Sequence, residues 1–126
     1  MNPPAASLSA LKSALREDLR RQLRGLEAEL REEWSLRIRE RCLELPEWSD
    51  CRVVGLYYPR ADEPDIWPLV ERAWSAGKCV VLPTYDESLA AYQWCRIDSS
   101  EDLIPGRFGI PEPRPRCDRM DAVRLD

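Results

Sequence analysis

Residues 51–83 constrain the fold of this chain more than any other stretch. "CRVVGLYY", residues 51–58, is short, β-branched and almost continuously apolar, the pattern of a buried strand. "KCVVLP", residues 78–83, repeats it. Between them Asp65 stands where a helix needs a cap and Pro68 suits a first turn. Ile66, Leu69, Val70, Ala73 and Trp74 then mark one helical face, and Gly77 closes the helix. Strand, helix and strand with short connections make a right-handed crossover, so the two strands should be parallel.

The N-terminal part is helical by the same test. Leu8, Leu11, Leu15, Leu19, Leu23, Leu26, Leu30 and Trp34 recur every three or four residues. Ser7 or Ser9 can cap this run, and Gly25 weakens its middle. The spacing predicts two helices within 8–45, at 8–24 and 27–45, with a bend between them and Pro46 ending the second. After a polar turn at Asp86-Glu87-Ser88, "AAYQWCRI" alternates and predicts a third, half-exposed strand over 90–97. Ser100 starts a short helical turn through Leu103. Four prolines between Pro105 and Pro115 predict an extended loop over 105–116. The last residues, "DAVRLD", turn apolar as though another strand were starting. These elements leave a sheet open at an edge. The expectation is one incomplete domain over residues 1–126.

Composition narrows the chemistry. With 44% apolar and 33% charged residues, the 126-residue chain suits a single core. Its net charge of −4 gives no electrostatic footprint for nucleic acid. No stretch resembles a membrane span, and Glu17 and Asp18 break the basic-then-apolar order of a signal peptide. A cytoplasmic location is expected. Cys42, Cys51, Cys79, Cys95 and Cys117 form no CxxC pair, and their odd number and setting predict five reduced, structural thiols. There is no histidine, so neither a Ser-His nor a Cys-His nucleophile can form. Catalysis must rest on carboxylates, cations, backbone groups or a metal.

Lys12, Arg16, Arg20 and Arg24 repeat every four residues beside the leucine stripe. Charge pattern alone favours a solvated face, with Glu17, Asp18 and Glu27 as partners. The alternative is an anion site, because Lys12 and Arg16 lie one turn apart and can hold adjacent phosphates. Asp62, Glu63 and Asp65 follow the carboxyl end of a strand, where open α/β sheets bind ligands. Asp65 serves as a helix cap. Glu63 has no such duty; it is either part of a polar loop, or it accepts hydrogen bonds from an aminopyrimidine-like edge or holds a cation. Of Trp67, Trp74, Tyr92, Trp94 and Phe108, most read as core, whereas Phe108 has the weakest packing role and offers a surface for a flat ligand. Gly106 and Gly109 belong to no phosphate-loop pattern.

In order and spacing, three segments resemble the 5-formyltetrahydrofolate cyclo-ligase (methenyltetrahydrofolate synthetase) family. They are "LKSALREDLRRQLRGL", "YYPRADEPDIWPLVERAWSAGKCVVLPTY" and "YQWCRIDSSEDLIPGRFGIPEP". The resemblance implies a Rossmann-like three-layer α/β sandwich with a mostly parallel sheet, CoA-transferase-like, lacking its C-terminal part. It implies ATP and Mg²⁺ as cofactors, and 5-formyltetrahydrofolate as a substrate closed to 5,10-methenyltetrahydrofolate. The family's K-x-x-x-R falls on Lys12 and Arg16, which implies ATP contacts there and reverses the preference for a solvated face at those two positions. Tyr58, Glu63 and Phe108 fall on positions that meet the folate, Phe108 against the pterin. Ile66 departs from the family's small hydroxyl residue, and the R-x-G-x-G-x-G-x-Y-D loop of the second half is missing. The chain is therefore expected to be an N-terminal portion, inactive alone. The alternatives are a non-catalytic folate- or nucleotide-binding module, and a half-domain that pairs with a separate glycine-rich chain.

Overall fold

Residues 5–106 and 109–120 are described in the structure, a computed structural model. Helices come first: α1 Ala5–Arg24, α2 Ala28–Glu44 and the short α3 Pro46–Asp50. The break near Gly25 is present, but Pro46 does not simply end a helix. It opens α3, at a position where its missing N–H would have had no intrahelical partner. β1 (Val53–Gly55), α4 (Trp67–Ser75) and β2 (Cys79–Asp86) follow. Val53, Val54 and Gly55 pair in parallel with Cys79, Val80 and Val81, as the crossover rule requires. Gly77 ends α4 at a φ of 75°, a value that favours glycine.

The mostly parallel sheet expected from the resemblance is corrected here. β3 (Ala91–Ile97) pairs antiparallel with β2, and β6 (Arg119–Met120) antiparallel with β3, giving a mixed sheet in the order β1-β2-β3-β6. The reason is the connection. Only β1 and β2 are joined through a helix, whereas β2 turns tightly into β3. Asp86 Oδ1 organises that turn by accepting from the N–H of Ser88 at 2.9 Å and of Leu89 at 3.2 Å.

Two further expectations change. Within the span predicted as a loop, β4 (Leu103–Pro105) and β5 (Pro111–Pro113) form a two-stranded antiparallel ribbon, entered from a capped turn at Ser100–Asp102. A two-stranded ribbon tolerates prolines because each strand has a partner on one side only, so half of its positions need no N–H for the ladder. Cys95 and Cys117 are joined as a disulfide, while Cys42, Cys51 and Cys79 are free. The pairing of Cys95 with Arg119 across β3 and β6 carries Cys117 to within 5.6 Å of Cys95, Cα to Cα, which spacing along the chain does not reveal. The suspected strand at 121–126 lies outside the described residues.

The core sits where α4 covers the sheet. Val70 and Ala73 pack on Val80, Leu82 and Ile97, all at most 1% exposed, with Trp48, Val54, Leu56, Trp67, Trp74 and Leu103 around them. Trp74 Nε1 donates to the Ile97 carbonyl at 3.1 Å, which satisfies its polar edge. Gly55 lets Trp94 lie close over β1: a Cβ there would be 3.0 Å from the Trp94 ring and would press on it. By contrast, the leucine stripe of α1 covers little. Leu8, Leu11, Leu15 and Leu19 remain between 44% and 60% exposed. Among the described residues no helix is long and apolar enough to cross a membrane.

Candidate functional site

The chain leaves β1 at Gly55 and does not enter α4 until Trp67, so the segment 56–66 overhangs the carboxyl ends of both parallel strands. α2 holds this segment by its backbone. Arg31, Ser35 and Arg39, one helical turn apart, share a face of α2. Arg31 Nη1 donates to the Ala61 carbonyl at 3.0 Å, and its Nη2 donates to the Leu23 carbonyl at the end of α1. Ser35 Oγ accepts the Asp65 N–H at 2.9 Å, and Arg39 Nη1 donates to the Asp65 carbonyl at 2.7 Å. The Asp65 side chain then accepts the Trp67 N–H at 3.1 Å. The expected cap at Asp65 is corrected: Ile66 occupies the cap position of α4, and Asp65 supports the helix start from one residue earlier.

Within the loop, Glu63 folds back on its own turn. Its N–H donates to the Arg60 carbonyl at 3.1 Å, and its Oε1 accepts the Arg60 N–H at 3.0 Å. The Tyr58 ring lies 5.0 Å from Trp67, inclined at 51°, which fixes it between loop and helix. Partial burial pushes the Tyr57 phenol above its ordinary pKa, and the nearby Glu63 and Cys42 add to the rise.

These residues line two adjoining cavities. One, of about 420 Å³, has Tyr57, Tyr58, Tyr92, Glu63 and Glu112 among its walls. The other, of about 530 Å³, has Arg24, Arg31, Arg60, Tyr58 and Asp62. Tyr58, Arg60, Ile110 and Pro111 are common to both. The first combines aromatic walls with carboxylates and suits a flat ring with N–H donors; the second is basic and suits an anion. A third cavity, of about 380 Å³, lies beside Trp48, Gly55 and Trp94 and is largely apolar.

The structure brings Tyr58 and Glu63 to one cavity. Phe108 lies outside the described residues. Lys12 and Arg16 are exposed on α1, one turn apart, and line neither of the first two cavities. Sequence reasoning missed the Arg31–Ser35–Arg39 clamp, whose four-residue spacing was legible, and set Arg24 aside as a solvated charge.

The sequence model of the 5-formyltetrahydrofolate cyclo-ligase family matches residues 8–125. The chain belongs to the 5-formyltetrahydrofolate cyclo-ligase family. Among curated relatives, a probable 5-formyltetrahydrofolate cyclo-ligase of Schizosaccharomyces pombe is 31% identical over 108 residues, which are 84% of this chain and 52% of that protein. The 5-formyltetrahydrofolate cyclo-ligase of Mus musculus is 23% identical over 99 residues, 79% of this chain and 49% of that protein. The NMR structure of Aquifex aeolicus 5,10-methenyltetrahydrofolate synthetase superposes with a TM-score of 0.79 at 29% identity, covering 92% of this chain and 58% of that one. The chain thus spans about half the length of the curated relatives it matches. Its α/β fold is that of this cyclo-ligase family.

Proposed function

We propose that this chain carries the folate-binding wall of an ATP-dependent 5-formyltetrahydrofolate cyclo-ligase and does not turn over alone. The observation that carries the reading is the shared cavity: Tyr58 and Glu63 stand together at the carboxyl end of the parallel pair, beside Tyr57 and Tyr92. Glu63 accepts N–H groups from the pterin edge. Its Oε1 is already tied to the Arg60 amide, which orients the carboxylate, and its remaining lone pairs stay open to a ligand. Tyr58 flanks the ring, and Phe108 keeps the pterin contact that the family resemblance assigns to its position.

ATP supplies the phosphoryl group that turns the formyl oxygen into a leaving group. Lys12 and Arg16 fit its phosphates, being two cations one turn apart with no ion-pair partner among the described residues. Mg²⁺ would be held chiefly by the ATP phosphates and water, which asks for few protein ligands; among the described residues no group of three or more Asp, Glu or Cys side chains is gathered for a metal. No step is routed through it. What these residues contribute is position and charge neutralisation, which need neither a histidine nor a covalent nucleophile.

The exposed leucines of α1 form an apolar face, and its cover by the rest of the family's length, in the same polypeptide or in a complementing one, agrees equally with an N-terminal portion and with the half-domain alternative. The test is calorimetric titration of the purified chain with 5-formyltetrahydrofolate, alongside an absorbance assay for methenyltetrahydrofolate with ATP and Mg²⁺. Binding without turnover is expected. Absence of folate binding overturns the assignment, and turnover overturns the inactivity.

A further inference from the structure

We propose that the Cys95–Cys117 disulfide is a reversible thiol–disulfide exchange site, a redox latch that fixes the β4–β5 ribbon as one wall of the cavity holding Glu63. The bond bridges a sequence separation of 22 residues, and the loop that it closes contains the whole ribbon. Ile110 and Pro111 of that loop border both site cavities, and Glu112 borders the one with Glu63. One covalent bond thus governs how firmly part of the candidate site is held to the sheet.

The other ties between the end of this loop and the sheet are thin. β6 is two residues long and pairs only Arg119 with Cys95 and Met120 with Trp94. The Arg96 N–H, which donates to the Asp118 carbonyl at 2.9 Å, belongs to the same short ladder. The ribbon's own hydrogen bonds stay inside the closed loop. Gly106 N–H donates to the Ile110 carbonyl at 3.0 Å, Arg114 N–H to the Asp102 carbonyl at 2.8 Å, and Arg114 Nε to the Glu101 carbonyl at 2.8 Å. They keep the ribbon's shape without fastening it to the sheet. Leu103 packs on the core and Pro113 is buried, so opening the bond loosens the ribbon and does not unfold the domain.

The two sulfurs differ in access. Cys95 is 0% exposed within β3, where a free thiol packs as a small hydrophobe. Cys117 is half-buried between exposed Arg116 and Asp118. A dithiol reductant therefore attacks Cys117 sulfur. The S–S bond breaks, Cys95 leaves as a thiolate and takes a proton, and a mixed disulfide remains on Cys117. The reductant's second thiolate then attacks that bond, freeing Cys117 and carrying away the oxidised dithiol, two electrons having passed to the protein. Arg114, Arg116 and Arg119 lie within three residues of Cys117 and favour its thiolate, the form that re-forms the bond when a disulfide of the glutathione class accepts the two electrons.

The experiment poises the whole chain in glutathione buffers of varied ratio, counts blocked thiols by mass and measures amide exchange. Oxidised protein should show three free thiols, Cys42, Cys51 and Cys79, and reduced protein five. Reduction should be reversible and should raise exchange at Arg96 and Gly106 about tenfold, while Leu56, bonded to the Val81 carbonyl, stays protected. Binding of 5-formyltetrahydrofolate should weaken about tenfold on reduction, an effect that rests on the ring-site reading above. Cys117→Ser should show the raised exchange and the weaker affinity in every buffer, and Cys79→Ser should respond as wild type. Five thiols in oxidising buffer, a bond that resists dithiothreitol, or exchange that does not follow the thiol count overturns the latch. Equal folate affinity in both states overturns its hold on the site. Absence of folate binding in both states overturns the ring-site reading, and the thiol count and exchange then decide the latch alone.

Discussion

The backbone N–H of Asp65 donates to Ser35 Oγ at 2.9 Å, tying the acidic loop to α2 across 30 residues of chain. Ser35 is 4% exposed, so water cannot readily replace its hydroxyl. Ser35→Ala is expected to leave the Asp65 amide unpaired and to cost about 1–3 kcal/mol. Urea denaturation measures it. An unchanged midpoint would mean that Arg31 and Arg39 alone hold the loop.

The helical face of α1 and the core beneath α4 should respond differently to the same deletion. Leu82, 1% exposed, packs against Val70 and Ala73, so Leu82→Ala should cost about 2–5 kcal/mol. Leu15 is 59% exposed, and Leu15→Ala should stay within about 0.5 kcal/mol. Paired thermal melts test this. A large loss at Leu15 would show that α1 is packed in solution.

Asp86 should make part of the stability acid-sensitive. The Ser88 hydroxyl, with the N–H groups of Leu89 and Ser88 and the charge of Arg119, holds its carboxyl below the usual carboxylate range. A depressed folded pKa contributes stability that is present above the unfolded value, about 3.9, and is lost as pH falls through the lower folded value. Ser88→Ala should raise the Asp86 titration, read by carboxyl-carbon NMR, and move acid unfolding to higher pH. A titration that does not move contradicts the turn geometry.

Lys12→Ala and Arg16→Ala should each weaken ATP binding by about 1.5–3 kcal/mol, the typical loss of a charged hydrogen bond. Arg24→Ala should leave ATP almost unaffected, since Arg24 belongs to the basic cavity beside Tyr58. Isothermal titration with ATP measures all three. Equal losses would mean a diffuse field along α1 in place of a phosphate site.

The crossover was legible in the sequence because a parallel pair leaves a local signature: two apolar runs, a capped helix and Gly77 between them. The direction of β3 was not, since alternation in "AAYQWCRI" reports which face is buried but says nothing of its orientation. That information lay in the short turn at Asp86, whose length excludes a crossover. Prolines hid the β4–β5 ribbon, because the signal that usually demotes a strand is harmless at a position whose N–H the two-stranded ladder does not use. The Cys95–Cys117 pairing depended on β6 finding β3, a long-range event with no local mark. At the site, position alone left Glu63 open between a loop residue and a ligand contact, and the structure places it on a cavity wall. The arginines of the clamp and the basic cavity looked like ordinary surface charge until the fold brought them to one loop.

The central claim rests on Glu63 as the polar anchor of a folate cavity, and substitution to the isosteric amide tests it most directly. A carboxylate can accept two parallel N–H bonds from a pterin edge, whereas the amide turns one acceptor into a donor. Calorimetric titration of wild type and Glu63→Gln with 5-formyltetrahydrofolate and, separately, with ATP should show folate affinity reduced by about 1–3 kcal/mol and ATP affinity nearly unchanged. Asp62→Asn and Asp65→Asn, run beside it, should be mild: Asp62 stands only in a long 3.8 Å pair with Arg60, and the amide oxygen of Asn can still accept the Trp67 N–H. Folate binding by Glu63→Gln at wild-type strength would contradict the account and leave the loop after β1 as a connector.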